Sequence, residues 1–514
     1  MALTLTASIA AVPAVTPPTP WNPAVGALDG FVRQDPQWKR CGDEFPADFT
    51  CATIEVPLDY RAPAGRRIDL AVSRFRSAAP AERRGILLFN PGGPGVAGLE
   101  MPFKMRRKLP ESVRDKYDLI GMDPRGVGQS SPISCALNHE EETWLRPYKA
   151  RTFTHDVAWA RRVARKCEAR SGDKIPHITT SDTARDMDLL RAILGEEKIS
   201  FVARSYGTYL GAVYTQLFPG RADRFVLDSA VDPTRVWREM IRWWARSAEP
   251  AFDRWAVWVA ERSETYGLGG TPEAVKRTFW NLVHMADDDP FETEGQPTTG
   301  DDIRGRMRTE AVDPQRATEI IVGLRQTAVD RRSTSGWMAD GADSEEGWAP
   351  SSGILGAEVP SDNATASFWA VMCGDNSAAW PHDPERYQND AVRDMKQYPL
   401  YGDFVSNVKP CAFWQDSKEP AIKVTNNVGA LIVQNEWDPQ TPLASGLALH
   451  AYLKGSSMVT ILGGEGHIAY PSGEQCADGA VTTYLLTGTL PQKELTCRAG
   501  TSKNLNSQTA SPNT

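Results

Sequence analysis

Short apolar runs bounded by turn residues recur through the first half of the chain, with helical patterns between them. Residues 53–58 and 68–75 alternate or cluster apolar positions and predict an opening pair of strands. Residues 85–90 (Gly-Ile-Leu-Leu-Phe-Asn) are almost wholly apolar and stop at Pro91-Gly92-Gly93-Pro94-Gly95. A short run of that kind suits a strand buried on both faces, as in a parallel sheet. Residues 117–122 repeat the pattern and lead into Asp123-Pro124-Arg125-Gly126. Over 181–194 the spacing changes to helical (Met187, Leu190, Ile193, Leu194), with Ser181 or Asp182 as cap and Gly195 as stop. A strand over 199–203, a helix over 208–218 and a strand over 225–228 follow. This rhythm predicts a doubly wound, mostly parallel sheet.

From about 236 to 410 the rhythm breaks. No clear buried strand is visible there, and tryptophan-rich helical patterns (Trp237, Trp243, Trp244, Trp255, Trp258, Trp280) give way to a Gly/Ser/acid-rich stretch over 333–353. The expected organisation is a helical cap over 236–410, inserted between core segments 36–235 and 411–500. A leader over 1–35 precedes it and a disordered tail over 501–514 follows. Strand patterns return over 429–434 and 458–462, with a helix over 443–453 between them. The tryptophans fit the packing of a lid, or an aromatic wall facing substrate.

Candidate chemistry sits where these strands end. Ala203-Arg204-Ser205-Tyr206-Gly207 joins a strand to a helix, the setting of a nucleophilic serine on a sharp elbow. Small residues two before and two after the serine let strand and helix approach; the first is Ala203 rather than the usual glycine. The loop 90–95 follows an earlier strand, and its glycines let backbone N–H groups point at a developing oxyanion. Gly93 and Tyr206 N–H are the expected donors. Asp438 follows the strand over 429–434, and His467 lies in Gly463-Gly464-Glu465-Gly466-His467 after the strand over 458–462. The order Ser, Asp, His is that of the α/β-hydrolase fold, whose doubly wound sheet and cap insertion match the layout above. Glu436 is the rival to Asp438, which Pro439 and Thr441-Pro442 set in the turn beyond the strand. The remaining histidines lie in polar or helical settings. In Asp123-Pro124-Arg125-Gly126-Val127-Gly128-Gln129-Ser130, Arg125 is expected to tie loops together by bidentate bonds.

Composition narrows the function classes. The 514 residues carry a net charge of −8, with 41% hydrophobic and 24% charged, so the chain reads as globular without a basic footprint for nucleic acid. The arginines over 161–170 and 304–332 have acids among or beside them and read as solvated helix faces. No apolar run reaches the ~18 residues of a membrane span. Residues 1–15 are small and apolar and a Pro/Thr stretch follows, like a secretory signal without its basic start. The eight cysteines contain no Cys-x-x-Cys pair and fall into sequence-local couples: Cys41–Cys51, Cys135–Cys167, Cys373–Cys411 and Cys476–Cys497. Those pairings are the expected disulfides, with buried free thiols as the alternative. Together with the leader they point to a secreted protein. No phosphate loop, dinucleotide fingerprint or metal-ligand spacing is visible, so no cofactor and no metal are expected.

The loop 90–95, the Asp-Pro-Arg-Gly-x-Gly-x-Ser loop, the Ser-Tyr-Gly-Thr elbow and the Asp-Pro-x-Thr-Pro turn together resemble the secreted tripeptidyl aminopeptidases of actinomycetes and their prolyl aminopeptidase relatives. The likeness runs from about Cys41 to Cys497. It implies that Ser205, Asp438 and His467 match the family triad, and that the protein is secreted, carries disulfides and removes short peptides from free N-termini; a monomer is expected. An aminopeptidase must hold the substrate ammonium with carboxylates. Glu345, Glu346, Glu358, Glu436 and Glu465 are the candidates, with Glu436 and Glu465 nearest the triad. A carboxylesterase or lactonase acting on small esters with the same groups is the first rival. A binding protein that kept the fold without its chemistry is the second.

Overall fold

The computed structural model describes residues 26–293, 295–330, 355–356, 358–471 and 473–500. Its strands are β1 (Lys39–Arg40), β2 (Thr50–Pro57), β3 (Arg67–Phe75), β4 (Gly85–Asn90), β5 (Tyr117–Met122), β6 (Ile199–Arg204), β7 (Ala222–Asp228), β8 (Phe291–Thr293), β9 (Gln296–Thr298), β10 (Ala430–Trp437), β11 (Ser457–Glu465) and β12 (Leu495–Arg498). Ten of them form one sheet in the order β1-β2-β3-β5-β4-β6-β7-β10-β11-β12. β1, β2 and β3 pair antiparallel, β3 meets β5 antiparallel, and every pair from β5 to β12 is parallel. The fold is that of an α/β-hydrolase.

The central strands are apolar throughout because both of their faces are covered. Every residue of β4, β5 and β6 is buried. Alternate side chains enter two separate cores: Ile86, Leu88 and Phe201 on one face, Leu87, Phe89 and Val202 on the other. This is the period-2 geometry of a strand between two helical layers. Helices Thr180–Ile193 and Tyr206–Leu217 border the first core and Gln475–Thr487 the second.

Between β7 and β10 the described chain is mainly helical, with Arg238–Ala260, Pro272–Asp288, Gly300–Glu310, Pro314–Asp330, Asn363–Gly374 and Pro384–Gln397 as its longer helices. The hairpin β8–β9 also lies there. Its strands have three residues each, too few for alternation to register in the sequence. The short helix Asp29–Val32 falls inside the segment expected as a leader, yet Phe31 packs into the first core. Residues 1–25 and 501–514 lie outside the described residues.

All eight cysteines are bridged, as Cys41–Cys51, Cys135–Cys167, Cys373–Cys411 and Cys476–Cys497. Among the described residues no helix is long and apolar enough to cross a membrane.

Candidate active site

Every candidate group lies just beyond the carboxyl end of a parallel strand, where open α/β sheets place their ligands. Ser205 joins β6 to helix Tyr206–Leu217 with φ 53° and ψ −125°. That backbone is strained for a residue with a Cβ, by ~1–3 kcal/mol, and the surrounding fold must hold it. Two glycines permit it. A Cβ on Gly207 would lie 2.5 Å from Asn90 Oδ1 and 3.1 Å from the Ala203 Cβ, so Ala203 fits only because Gly207 has no side chain. A Cβ on Gly92 (φ +107°) would lie 2.8 Å from the Arg204 carbonyl and 3.0 Å from Ser205 Cβ. Asn90 Oδ1 accepts the Gly92 N–H at 3.0 Å, which fixes the glycine loop against the elbow. Gly93 and Tyr206 both border the cavity into which Ser205 opens. Tyr206 is the first residue of its helix, so its N–H has no intrahelical acceptor.

His467 Nδ1 lies 2.9 Å from Asp438 Oδ2 and 3.1 Å from Oδ1. Asp438 is 2% exposed. Its Oδ1 accepts the backbone N–H groups of Gln440 (2.8 Å) and Thr441 (2.9 Å), and its Oδ2 accepts the Thr441 hydroxyl at 2.8 Å. The turn after β10 thus orients the carboxylate, and the carboxylate orients the ring. Ser205, Thr441 and His467 line one cavity of about 660 Å³.

A second buried acid holds the histidine loop. Asp228, the last residue of β7, accepts the N–H of Ala469 on Oδ1 (2.8 Å) and of Tyr470 on Oδ2 (2.9 Å). Its backbone carbonyl accepts the Ser205 N–H at 2.9 Å, and Ser229 Oγ accepts the Ile468 N–H at 2.9 Å. One strand end therefore sets both serine and histidine. Burial pushes the Asp228 carboxyl up to about 6, against the pull of Arg204. A further buried chain joins the elbow to the insertion. Tyr206 OH meets Thr180 Oγ1 at 2.8 Å, and Asp375 Oδ2 accepts both Thr180 Oγ1 (2.6 Å) and Trp237 Nε1 (3.0 Å). Nothing in the local sequence distinguishes Asp228 or Asp375 from other acids that close a strand or helix.

Arg125 forks onto Asp186, Nε to Oδ2 at 2.7 Å and Nη2 to Oδ1 at 2.6 Å, and donates to the carbonyls of Pro57, Leu58 and His177. It ties loops together at a distance from the cavity. Of the tryptophans in the insertion, Trp237 and Trp255 are sealed in the core, while Trp244 faces the cavity beside Trp144 and Phe368. Trp144 centres its ring 5.7 Å from Trp244 and 4.8 Å from Phe368.

Of the expected ammonium anchors, Glu358, Glu436 and Glu465 do not line the cavity. Glu465 points to the surface and is forked by Arg254 (2.7 and 2.9 Å), and Glu436 Oε2 accepts the Gly463 N–H at 2.8 Å. Glu358 is exposed, and Glu345 and Glu346 lie outside the described residues. Among the described residues, the carboxylates that line the cavity are Glu310 and Asp313. The arginines over 304–332 also depart from a uniformly solvated face: Arg304 is buried against Asp403, and Arg308 is 5% exposed at the cavity wall.

Residues 85–265 match the alpha/beta hydrolase fold family, and residues 398–497 match the TAP-like protein family. The chain is 32% identical over 479 residues to a tripeptidyl aminopeptidase of Streptomyces lividans, covering 90% of this chain and 86% of that protein. The chain belongs to the tripeptidyl aminopeptidase family of α/β-hydrolases. It is a serine-type hydrolase. Within this family, serine protease Hip1 of Mycobacterium tuberculosis is 28% identical over 488 residues, with 90% of this chain and 91% of Hip1 covered. Carboxylesterase B of the same organism is 32% identical over 506 residues, with 93% of each chain covered. Family membership thus spans proteins named for peptide and for ester hydrolysis.

Proposed function

We propose that the protein is a secreted serine aminopeptidase that releases short peptides, tripeptides among them, from free N-termini. Ser205 is the nucleophile, His467 the general base and Asp438 the group that orients it. The observation that carries the reading is the Asp438–His467 pair at 2.9 Å beside the cavity into which the strained Ser205 elbow opens. His467 takes the Ser205 proton as Oγ attacks the scissile carbonyl. Asp438 keeps the imidazole in the tautomer with its proton on Nδ1 and stabilises the imidazolium. The tetrahedral oxyanion is held by the N–H groups of Gly93 and Tyr206, each worth roughly a hundredfold or more in rate. His467 then protonates the leaving amine, and water hydrolyses the acyl-enzyme by the same route in reverse.

Glu310 and Asp313 take the place of the glutamates expected to hold the substrate ammonium. Glu310 is shared with Arg316 Nε at 3.0 Å, and Asp313 Oδ1 accepts the Arg316 N–H at 3.1 Å. Four disulfides and the resemblance to secreted peptidases support export, and the protein acts as a monomer without nucleic acid. The test is a pair of tripeptide anilides, one with a free amino end and one acetylated. Cleavage of the free peptide alone supports the aminopeptidase, with Asp313→Asn raising KM for it. Equal cleavage of both overturns that reading. The likeness to carboxylesterase B favours one second reading, ester hydrolysis by the same triad. Activity on a short acyl ester with none on peptides would select it.

A further inference from the structure

Arg308 is the one buried arginine among the described residues whose guanidinium meets no acceptor. The others each donate to one: Arg125 to Asp186, Arg185 to Asp182, Arg204 to the Tyr470 carbonyl, Arg224 to Tyr117 OH, Arg238 to Asp390 and Arg304 to Asp403. Arg308 Nε and Nη2 are sealed from solvent without a partner. Its guanidinium carbon lies over two rings, 4.5 Å from the Trp244 centroid and 5.2 Å from that of Tyr401. Stacking of this kind offsets part of the cost of burying a cation but satisfies none of its N–H groups. A buried cation without an ion-pair partner is costly, and an anion entering the cavity lowers that cost. Arg308 stands on helix Gly300–Glu310 in the wall of the same cavity that Ser205 and His467 line.

We infer that Arg308 is a carboxylate receptor, selecting substrates that carry a carboxylate in the part bound within the catalytic cavity. With Nε and Nη2 sealed, Nη1 is the nitrogen left to meet a carboxylate in the cavity, and the two ring contacts hold the guanidinium in place for it. A dianion such as phosphate is disfavoured because Glu310 and Asp313 border the same cavity. Burial lowers the tendency of Arg308 to hold its proton, a burden that an incoming anion relieves. Two sources present this chemistry to a peptidase: an Asp or Glu side chain in the released segment, or the free C-terminus of a short peptide. The inference rests on the aminopeptidase reading for the identity of the substrate, but the receptor itself needs only the cavity.

The experiment measures kcat/KM of wild type, Arg308→Met and Arg308→Lys on matched pairs. The pairs are free-amino tripeptide anilides with Glu or Gln at each position, tetrapeptides with a free or amidated C-terminus, and p-nitrophenyl hemiglutarate against butyrate. The wild type is expected to favour the carboxylate member of at least one pair about tenfold or more. That ratio falls to near one in Arg308→Met and is partly kept in Arg308→Lys. Being a ratio, it is insensitive to the fraction of folded enzyme. A preference confined to the Glu pairs assigns a side-chain source, and one confined to free C-termini assigns short peptides. A hemiglutarate preference with no peptide cleaved sinks the aminopeptidase reading and keeps the receptor. Absence of any preference in the wild type, or a ratio unchanged in Arg308→Met, overturns the receptor.

Discussion

Asp228 Oδ1 accepts the backbone N–H of Ala469 at 2.8 Å, two residues beyond the catalytic histidine candidate. With Tyr470 N–H on its other oxygen, the carboxylate fixes the loop that carries His467 to the strand next to the serine elbow. Asp228→Asn leaves one of those N–H groups facing an amide NH2. The expected result is a loss of ~1.5–3 kcal/mol in stability and a fall in kcat larger than any change in KM, read from thermal denaturation and kinetics. Unchanged kcat would show that the loop holds its position without the acid.

The same acid makes stability depend on pH. Burial pushes Asp123, Asp228 and Asp375 each up to about 6 in the folded protein, whereas an unfolded Asp titrates near ~3.9. Between those values the folded state binds more protons. The contribution of these groups is full below about pH 4 and is lost as pH rises through 6, at up to ~1.4 kcal/mol per pH unit for each group. The Tm of Asp228→Asn measured from pH 4 to 7 is expected to decline less steeply than that of the wild type. Parallel curves would contradict the assignment.

Gly207 couples the elbow to the glycine loop through Asn90. In Gly207→Ala the new methyl meets Asn90 Oδ1 at 2.5 Å, and that oxygen also anchors Gly92 N–H. Overpacking of this kind costs ~1–3 kcal/mol. A lower Tm is expected together with a kcat loss beyond that of a surface Gly→Ala control such as Gly220→Ala, where a Cβ meets nothing within 4 Å.

The Cys373–Cys411 bridge joins helix Asn363–Gly374 to the turn at Pro410–Phe413, the segment through which the chain returns towards β10. Its sequence separation of 38 residues implies ~3–4 kcal/mol by the loop-entropy relation. The double variant Cys373→Ala/Cys411→Ala should therefore melt well below the wild type. Eight alkylatable thiols in the native, unreduced protein would contradict all four bridges.

How much of this is legible in the sequence depends on the scale of the signal. The strands over 85–90, 117–122 and 199–203 are readable because burial on both faces demands continuous apolar residues. Ser205, Asp438 and His467 are readable as candidates because each follows such a run in a loop marked by glycine or proline. Asp228 is not, since an acid at the end of a strand looks the same whether it meets water or the N–H groups of Ala469 and Tyr470, more than 200 residues away in sequence. Arg308 shares a helix with Arg304 and Arg306 and reads as one more solvated cation. Only the fold shows that Trp244 and Tyr401 enclose it. Glu310 and Asp313 are hidden for the same reason, because which helix end lines a cavity is decided by tertiary packing.

The most direct test of the account is hydrolysis of a free-amino tripeptide anilide by wild type and Ser205→Ala of matched Tm. Cleavage by the wild type is expected, with a fall of roughly a thousandfold or more in the variant, to a residual rate left by the oxyanion donors and binding. Undiminished cleavage by Ser205→Ala would contradict the mechanism at its nucleophile.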